Sequence, residues 1–178
     1  MARLYTRTGD QGTTGVIGGP RVPKDELRIH ALGDVDEANA AIGLALAFQT
    51  EPKVIAILRN AQNTLFTVGA EVGSTAKARV PRMSKDHVET LETAIAVLEV
   101  GELKEFVIPR GPPPVASLHF ARTVVRRAER SCVALNRRAK LNPELLRYLN
   151  RLSSFLFQAA VWVQRRERTP EEHPTYRA

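Results

Sequence analysis

Residues 115–138 read VASLHFARTVVRRAERSCVALNRR, and their spacing decides the architecture. Placed at about 100° per residue, Leu118, Ala121, Val125, Ala128, Cys132 and Leu135 fall on one arc. His119, Arg122, Arg126, Glu129 and Arg130 lie on the flank beside it. The segment is therefore predicted to be a long helix with one buried face and a charged border.

Working outward, residues 143–168 continue the 3.6-residue period after Pro143, which suits a helix's first turn. Upstream, Asp34 with Glu37 three residues on predicts a helix from 34 to about 49, carried by Ala38, Ala41, Ile42, Ala45 and Leu46. Pro52 opens a second, with Val54, Ile57, Leu58, Ala61, Leu65 and Val68 in phase until Gly73. Ser84 to Gly101 predicts a third, with Gly101 as its C-terminal glycine. Residues 106–114 read as an extended, proline-rich connector, and the polar stretch after Thr169 as a loose tail. No segment alternates at period two for any length, and no repeat is present. The fold class predicted is all-α: a single-domain bundle of five helices, residues 1–168, with an N-terminal loop at 5–25, a helical part at 34–168 and a flexible tail at 169–178.

Composition bounds the partners. The 178-residue chain is 43% hydrophobic and 25% charged, the balance of an ordinary globular domain rather than a disordered one. Its apolar runs are too short for a membrane span, and the polar stretch from Met1 to Gly12 does not resemble a signal peptide. One cysteine, Cys132, excludes an internal disulfide and a thiolate metal site, and fits a reducing cytoplasm. A formal charge of +7 points to nucleic acid, an anionic membrane surface or a small polyanion.

The arginine stripe narrows that choice without closing it. Every cation but His119 between 119 and 130 is arginine, which suits bidentate binding of phosphate or carboxylate. Arg122, Arg126 and Arg130 would repel one another unless an anion or an acid stood opposite. A solvated, salt-bridged face remains an alternative, as does a basic recognition helix. Against nucleic acid, Phe120 is the one aromatic in the stretch and Glu129 would repel a phosphate backbone.

A second feature is the loop TRTGDQGTTG at 6–15; residues 6–19 hold five of the eleven glycines, with Thr6, Thr8, Thr13, Thr14 and Asp10 between them. Glycines and hydroxyls let backbone N–H groups converge on phosphate oxygens, although the same composition also makes ordinary turns. Arg7, Arg21 and Lys24 add charge for phosphates, and Asp10 could help hold magnesium. The loop matches neither the Walker nor the dinucleotide pattern.

Four strings in order then identify a resemblance: YTRTGDQGTTG at 5–15 with RVPKD at 21–25; GDVDEANAAIG at 33–43; FVIPRG at 106–111 leading into SLHFARTVVRRAER at 117–130; and RYLNRLSSFLF at 147–157. Together they resemble the PduO-type ATP:cob(I)alamin adenosyltransferases, over nearly everything from Arg3 to about Arg166. The resemblance implies a trimer with ATP and corrinoid bound between neighbouring subunits, magnesium held mainly by the phosphates of ATP, and transfer of a 5'-deoxyadenosyl group to reduced cobalt. It implies that Thr6, Gly9, Asp10, Gly12, Thr13, Thr14 and Lys24 wrap the nucleotide, with Arg126 and Asn150 completing its pocket. Asp36 and Arg122 would pair between subunits, Phe106 would lie against the corrinoid, and Glu129 would orient the arginines. A corrinoid reductase and a B12-dependent mutase are the partners implied, with no role for nucleic acid or membrane.

The residues themselves agree in part. Asp36, Asn39 and Gly43 share one flank of the first helix, so Asp36 could face the arginine stripe. Asn150, on a mostly apolar helix, is expected to be partly buried and hydrogen-bonded. Four positions depart from the family strings: Arg110 and Ala38 stand where glycine and leucine are usual, Ser154 where aspartate is common, and Arg7 where lysine is. An ATP- and corrinoid-binding carrier without turnover, a nucleic-acid binder and a plain scaffold are the rival functions.

Overall fold

The computed structural model describes residues 5–103 and 105–175; residues 1–4 of the expected domain, residue 104 and the last three of the expected tail lie outside them. Five helices follow a small hairpin. Strands β1 (Thr13–Gly15) and β2 (Arg21–Pro23) pair antiparallel, with Thr14 opposite Val22. Then come α1 (Leu27–Phe48), α2 (Pro52–Val72), α3 (Lys85–Val97), α4 (Pro113–Asn136) and α5 (Pro143–Arg166). The predicted all-α bundle is the observed fold, apart from this hairpin.

Helix α4 lies between α1 and α5; α1 also packs on α2, and α3 lies against α5. The apolar arc of α4 is the centre of the core: Leu118, Ala121, Val125, Ala128 and Cys132 are fully buried. Opposite them α1 presents Ala31, Ala38, Ala41 and Ala45, whose small side chains let the two helices approach closely, and α5 presents Leu149, Leu152, Phe155 and Leu156. Burial of such side chains contributes about 1.5–3 kcal/mol each for the larger ones, which is why three of the helix spans were readable from periodicity.

Three local expectations are corrected. Helix α1 begins at Leu27, so Asp34 is in its interior and does not cap it. The extra turns form because Arg28 Nη1 donates to the carbonyls of Val72 (2.7 Å) and Ser74 (2.8 Å) at the end of α2, while Ala31 and Val35 enter the core. Helix α3 starts where expected, the Ser84 N–H donating to His87 Nδ1 at 3.1 Å, but ends at Val97. Gly101 takes a left-handed φ of 65° in the connector beyond it instead of capping it.

The third correction concerns the tail. Residues 169–173 are held by side chains and backbone: Gln164 Nε2 donates to the Pro170 carbonyl at 2.9 Å, and Ile108 N–H donates to the Glu172 carbonyl at 2.8 Å. A polar sequence looked loose because its partners lie far away in the chain.

Candidate active site

The charged flank of α4 meets α5 along two adjoining cavities. One, about 470 Å³, is lined by Arg122, Arg126, Ser153, Ser154, Phe157 and Gln158, with Gly101 and Leu103 of the connector at its edge. The other, about 440 Å³, is lined by Arg126, Glu129, Arg130, Arg137 and Asn150. Arg126 belongs to both, and among the described residues its guanidinium has no hydrogen-bond or ion-pair partner. A rigid helix thus holds a charge-assisted fork at the junction of two polar hollows.

The neighbours of Arg126 are each held differently. Asn150 Nδ2 donates to Glu129 Oε1 at 3.0 Å, and Arg130 Nη1 folds back onto the Arg126 carbonyl at 3.1 Å. Asn150 is exposed, not partly buried as expected, because it lies on the rim where α5 turns its polar side to the cavity. Arg122 lies 5.9 Å over the Phe157 ring, and its Nε is buried without a partner. Burial, then the nearby charge of Arg126, lowers its pKa.

His119 sits one turn back on the same flank and is 2% exposed, with neither ring nitrogen hydrogen-bonded. Burial first, and Arg122 second, push its pKa down to about 4, so the ring is neutral at pH 7. The helical wheel placed it beside the core; packing against Phe157, ring centres 6.1 Å apart, draws it inside. Phe157 itself was overlooked as a site residue, although it stands two turns after Asn150 and so shares its face. Cys132 is buried, and its thiol is pushed up to about 12 by burial, then by Asp34 and Glu129, which makes it inert.

The glycine and threonine loop is a separate structure on the other side of α1. Gly12 at φ 77° turns the chain into β1, and the Lys24 N–H closes on the Gly12 carbonyl at 2.8 Å. A side chain at Gly9 would press on Lys24 Nζ, 3.2 Å from the position of its Cβ, so this glycine lets the ammonium lie against the loop. Arg21 is largely committed: Nη2 donates to the carbonyls of Thr8 (2.7 Å) and Thr13 (2.9 Å), and Nε to Thr13 Oγ1 (3.2 Å). Its charge stays beside the loop while its geometry shapes it. Arg7, at φ 61°, holds a strained left-handed conformation and lies over Tyr5. Thr6, Thr8, Asp10, Gly12 and Lys24 are exposed, and Thr13 and Thr14 half-buried.

Asp36 borders a third hollow, about 560 Å³, on the face made by α1 and α2, with Gly15 and Ile17 of the hairpin, Asn39, Phe66 and Gly69. It makes no contact with the arginine stripe of its own chain among the described residues. The acids of α1 that do reach α4 are Asp34 and Glu37: both pair with Arg127, and Ser131 Oγ donates to Asp34 Oδ2 at 2.5 Å. Within one chain, the hairpin and Asp36 therefore form one surface and Arg122, Arg126, Glu129, Arg130 and Asn150 another. Phe106 is on neither; it stands 80% exposed on the connector.

A helical bundle with a cationic double cavity on one face and a glycine-rich loop on another has the features expected of a class of proteins that hold phosphate-bearing ligands. The chain belongs to the cobalamin adenosyltransferase family, whose model matches residues 4–163. It is 42% identical to a corrinoid adenosyltransferase of Bacillus subtilis over 89% of this chain and 84% of that one. A corrinoid adenosyltransferase of Citrobacter freundii is 41% identical over 90% and 94%. Among solved structures, a phenylalanine-to-alanine variant of a PduO-type ATP:corrinoid adenosyltransferase from Lactobacillus reuteri, complexed with cobalamin and ATP, superposes with a TM-score of 0.90 at 30% identity, over 98% of this chain and all of that one.

Proposed function

We infer that this chain is an enzyme that transfers the 5'-deoxyadenosyl group of ATP to the Co(I) of a reduced corrinoid, forming adenosylcobalamin and triphosphate. The observation that carries this reading is the place of Arg126, whose guanidinium is shared by two polar cavities and has no partner among the described residues, in a chain of this family. The electron pair of Co(I) attacks C5', the C5'–O bond breaks, and its electrons leave on the triphosphate. Cobalt is itself the nucleophile, so the protein's task is to align C5' with it and to stabilise the leaving charge.

Arg126 takes the triphosphate in this reading, and Glu129 and Asn150, already hydrogen-bonded, fix the wall against which the nucleoside rests. Loop residues Thr6, Arg7, Thr8, Gly9, Asp10, Gly12, Thr13, Thr14 and Lys24 enclose the phosphates, with Arg21 bracing them and Arg130 adding field. No cluster of three or more His, Cys, Asp or Glu side chains that could hold a metal is present among the described residues. Magnesium would be carried mainly by the phosphate oxygens of ATP, with the exposed Asp10 as a carboxylate within the loop.

Because loop and arginines occupy different faces of one chain, the site is completed by a second copy. We therefore place ATP and corrinoid between subunits of a homotrimer, the loop and Asp36 of one subunit meeting Arg122 and Arg126 of the next. An acid arriving from that neighbour would satisfy the buried, partnerless Nε of Arg122. Phe106, large, apolar and exposed, lies against the corrinoid and keeps water and the lower axial ligand from cobalt. No helix among the described residues is long and apolar enough to cross a membrane, and we assign the enzyme to the cytoplasm, between a corrinoid reductase and a B12-dependent mutase. Anaerobic incubation with ATP, magnesium and chemically reduced cobalamin tests the activity: the light-sensitive spectrum of the alkylated product should develop, and its absence would reduce the chain to a binding protein.

A further inference from the structure

We propose that residues 170–173 latch the connector between α3 and α4, and that Glu172 and His173 are positioning residues for Phe106. The proposal rests on the reading that Phe106 contacts the corrinoid.

The connector joins α3 to α4, and its described residues between Leu98 and Pro112 have no regular secondary structure of their own. A ring that must press on a planar ligand from such a segment needs its backbone held from outside. The tail does this at three points. Ile108 N–H donates to the Glu172 carbonyl at 2.8 Å, Arg110 Nη2 pairs with the Glu172 carboxylate, and His173 Nδ1 lies 3.0 Å from the Phe106 carbonyl, to which it can donate. The same imidazole is 3.7 Å from Glu105 Oε2, so the residues on both sides of Phe106 are engaged or flanked.

A latch also needs a fixed end. Arg168, at φ 54°, reverses the chain after α5, and Thr169 N–H returns to the Gln164 carbonyl at 3.0 Å. Gln164, only 2% exposed, gives its amide to the Pro170 carbonyl, and Arg165 pairs with Glu171 and donates to the Val100 carbonyl at the connector's start. One end of the tail is therefore bound to α5 and the other to the connector. Arg110, a departure from the family strings, acquires a physical reason: it supplies the cation that Glu172 meets.

Each exposed ion pair is weak alone, so the test uses repulsion and its reversal. In the full-length enzyme, Glu172→Lys sets a cation against Arg110, and His173→Ala removes the bond to the Phe106 carbonyl. Both should speed hydrogen exchange of residues 105–110 and raise the corrinoid KM by roughly threefold to tenfold, leaving the ATP KM unchanged. The exchanged pair Arg110→Glu with Glu172→Arg should restore both readings. Phe106→Ala is run beside them. If it lowers turnover while the tail variants alter neither exchange nor KM, the latch is wrong and the reading of Phe106 stands. If exchange rises in the tail variants but Phe106→Ala is silent, Phe106 does not serve the corrinoid and no positioning role remains. A rise in both KM values, or loss of thermal stability in the swapped pair, would overturn the proposal by making the tail merely structural.

Discussion

Lowering the pH from 7 to 4 should cost this protein stability through the buried side chain of His119. The unfolded imidazole takes a proton near 6.5, whereas in the bundle burial and Arg122 hold its pKa down to about 4. A group whose folded pKa is depressed contributes its stability above the unfolded value and loses it as pH falls through the window to the folded one. Between about 6.5 and 4 the unfolded chain binds the proton and the folded chain does not, so unfolding is favoured by about 1.4 kcal/mol per pH unit, at most about 3.5 kcal/mol over the window, and the loss levels off below pH 4. That is a large share of the stability of a typical domain. Urea unfolding followed by Trp162 fluorescence, at one protein concentration and at pH 7.5, 6, 5 and 4, would measure it against His119→Leu, which has no imidazole to titrate. The two proteins differ at this position alone, so the difference between the two curves isolates residue 119. Parallel curves would refute the reasoning and mean that His119 is solvated or hydrogen-bonded in solution.

Arg126→Ala should weaken ATP binding by roughly 10- to 100-fold, the worth of a charge-assisted fork, with unchanged far-UV circular dichroism and melting temperature; unfolding would instead mark the residue as structural. Exchanging the charges of Asp36 and Arg122 should partly recover what either single change loses in activity and in trimer mass by sedimentation, and a coupling of zero would rule out the pair. Phe106→Ala should slow turnover by at least about tenfold, equivalent to about 1.4 kcal/mol of barrier, with little change in ATP affinity; equal losses in both would remove the ring from the corrinoid face.

What was legible in the chain divides along physical lines. The helices that bury one continuous stripe, α2, α4 and α5, are bounded by their period to within two residues, with first-turn prolines marking α2 and α5, because local pattern and core packing agree there; the first turn of α4 takes in Pro113 and Pro114, which read as connector. Helix α1 was started too late because Gly33 and polar Arg28 and His30 break the pattern, while the bonds that stabilise its first turns go to α2. Strands of three residues are too short to show a period, so the hairpin passed as a loop. At the candidate site, spacing puts Arg122, Arg126, Glu129 and Arg130 on one flank of α4, as in the structure, but not their neighbours: within one chain the acids of α1 that reach α4 are Asp34 and Glu37, both on Arg127, and Asn150 faces outward to Glu129. Those choices depend on side-chain direction across a helix pair, which spacing along one helix does not carry.

The junction of the hairpin with α2 has a mechanical consequence. Ile17 bonds to the Gly73 carbonyl and accepts from Thr75 N–H, and Gly18 and Gly19 lie so close to Thr75 and Ala78 that an added Cβ at either would fall 2.8 Å from a side-chain atom. Backbone therefore rests on the turn after α2 with no flexible padding between. The glycine and threonine loop, proposed above to enclose the phosphates, would then act as the far end of a stiff lever whose fulcrum is that turn. A one-carbon enlargement at Gly18 or Gly19, far from any ligand, should swing the loop tip and loosen nucleotide grip as surely as removing one of its threonines.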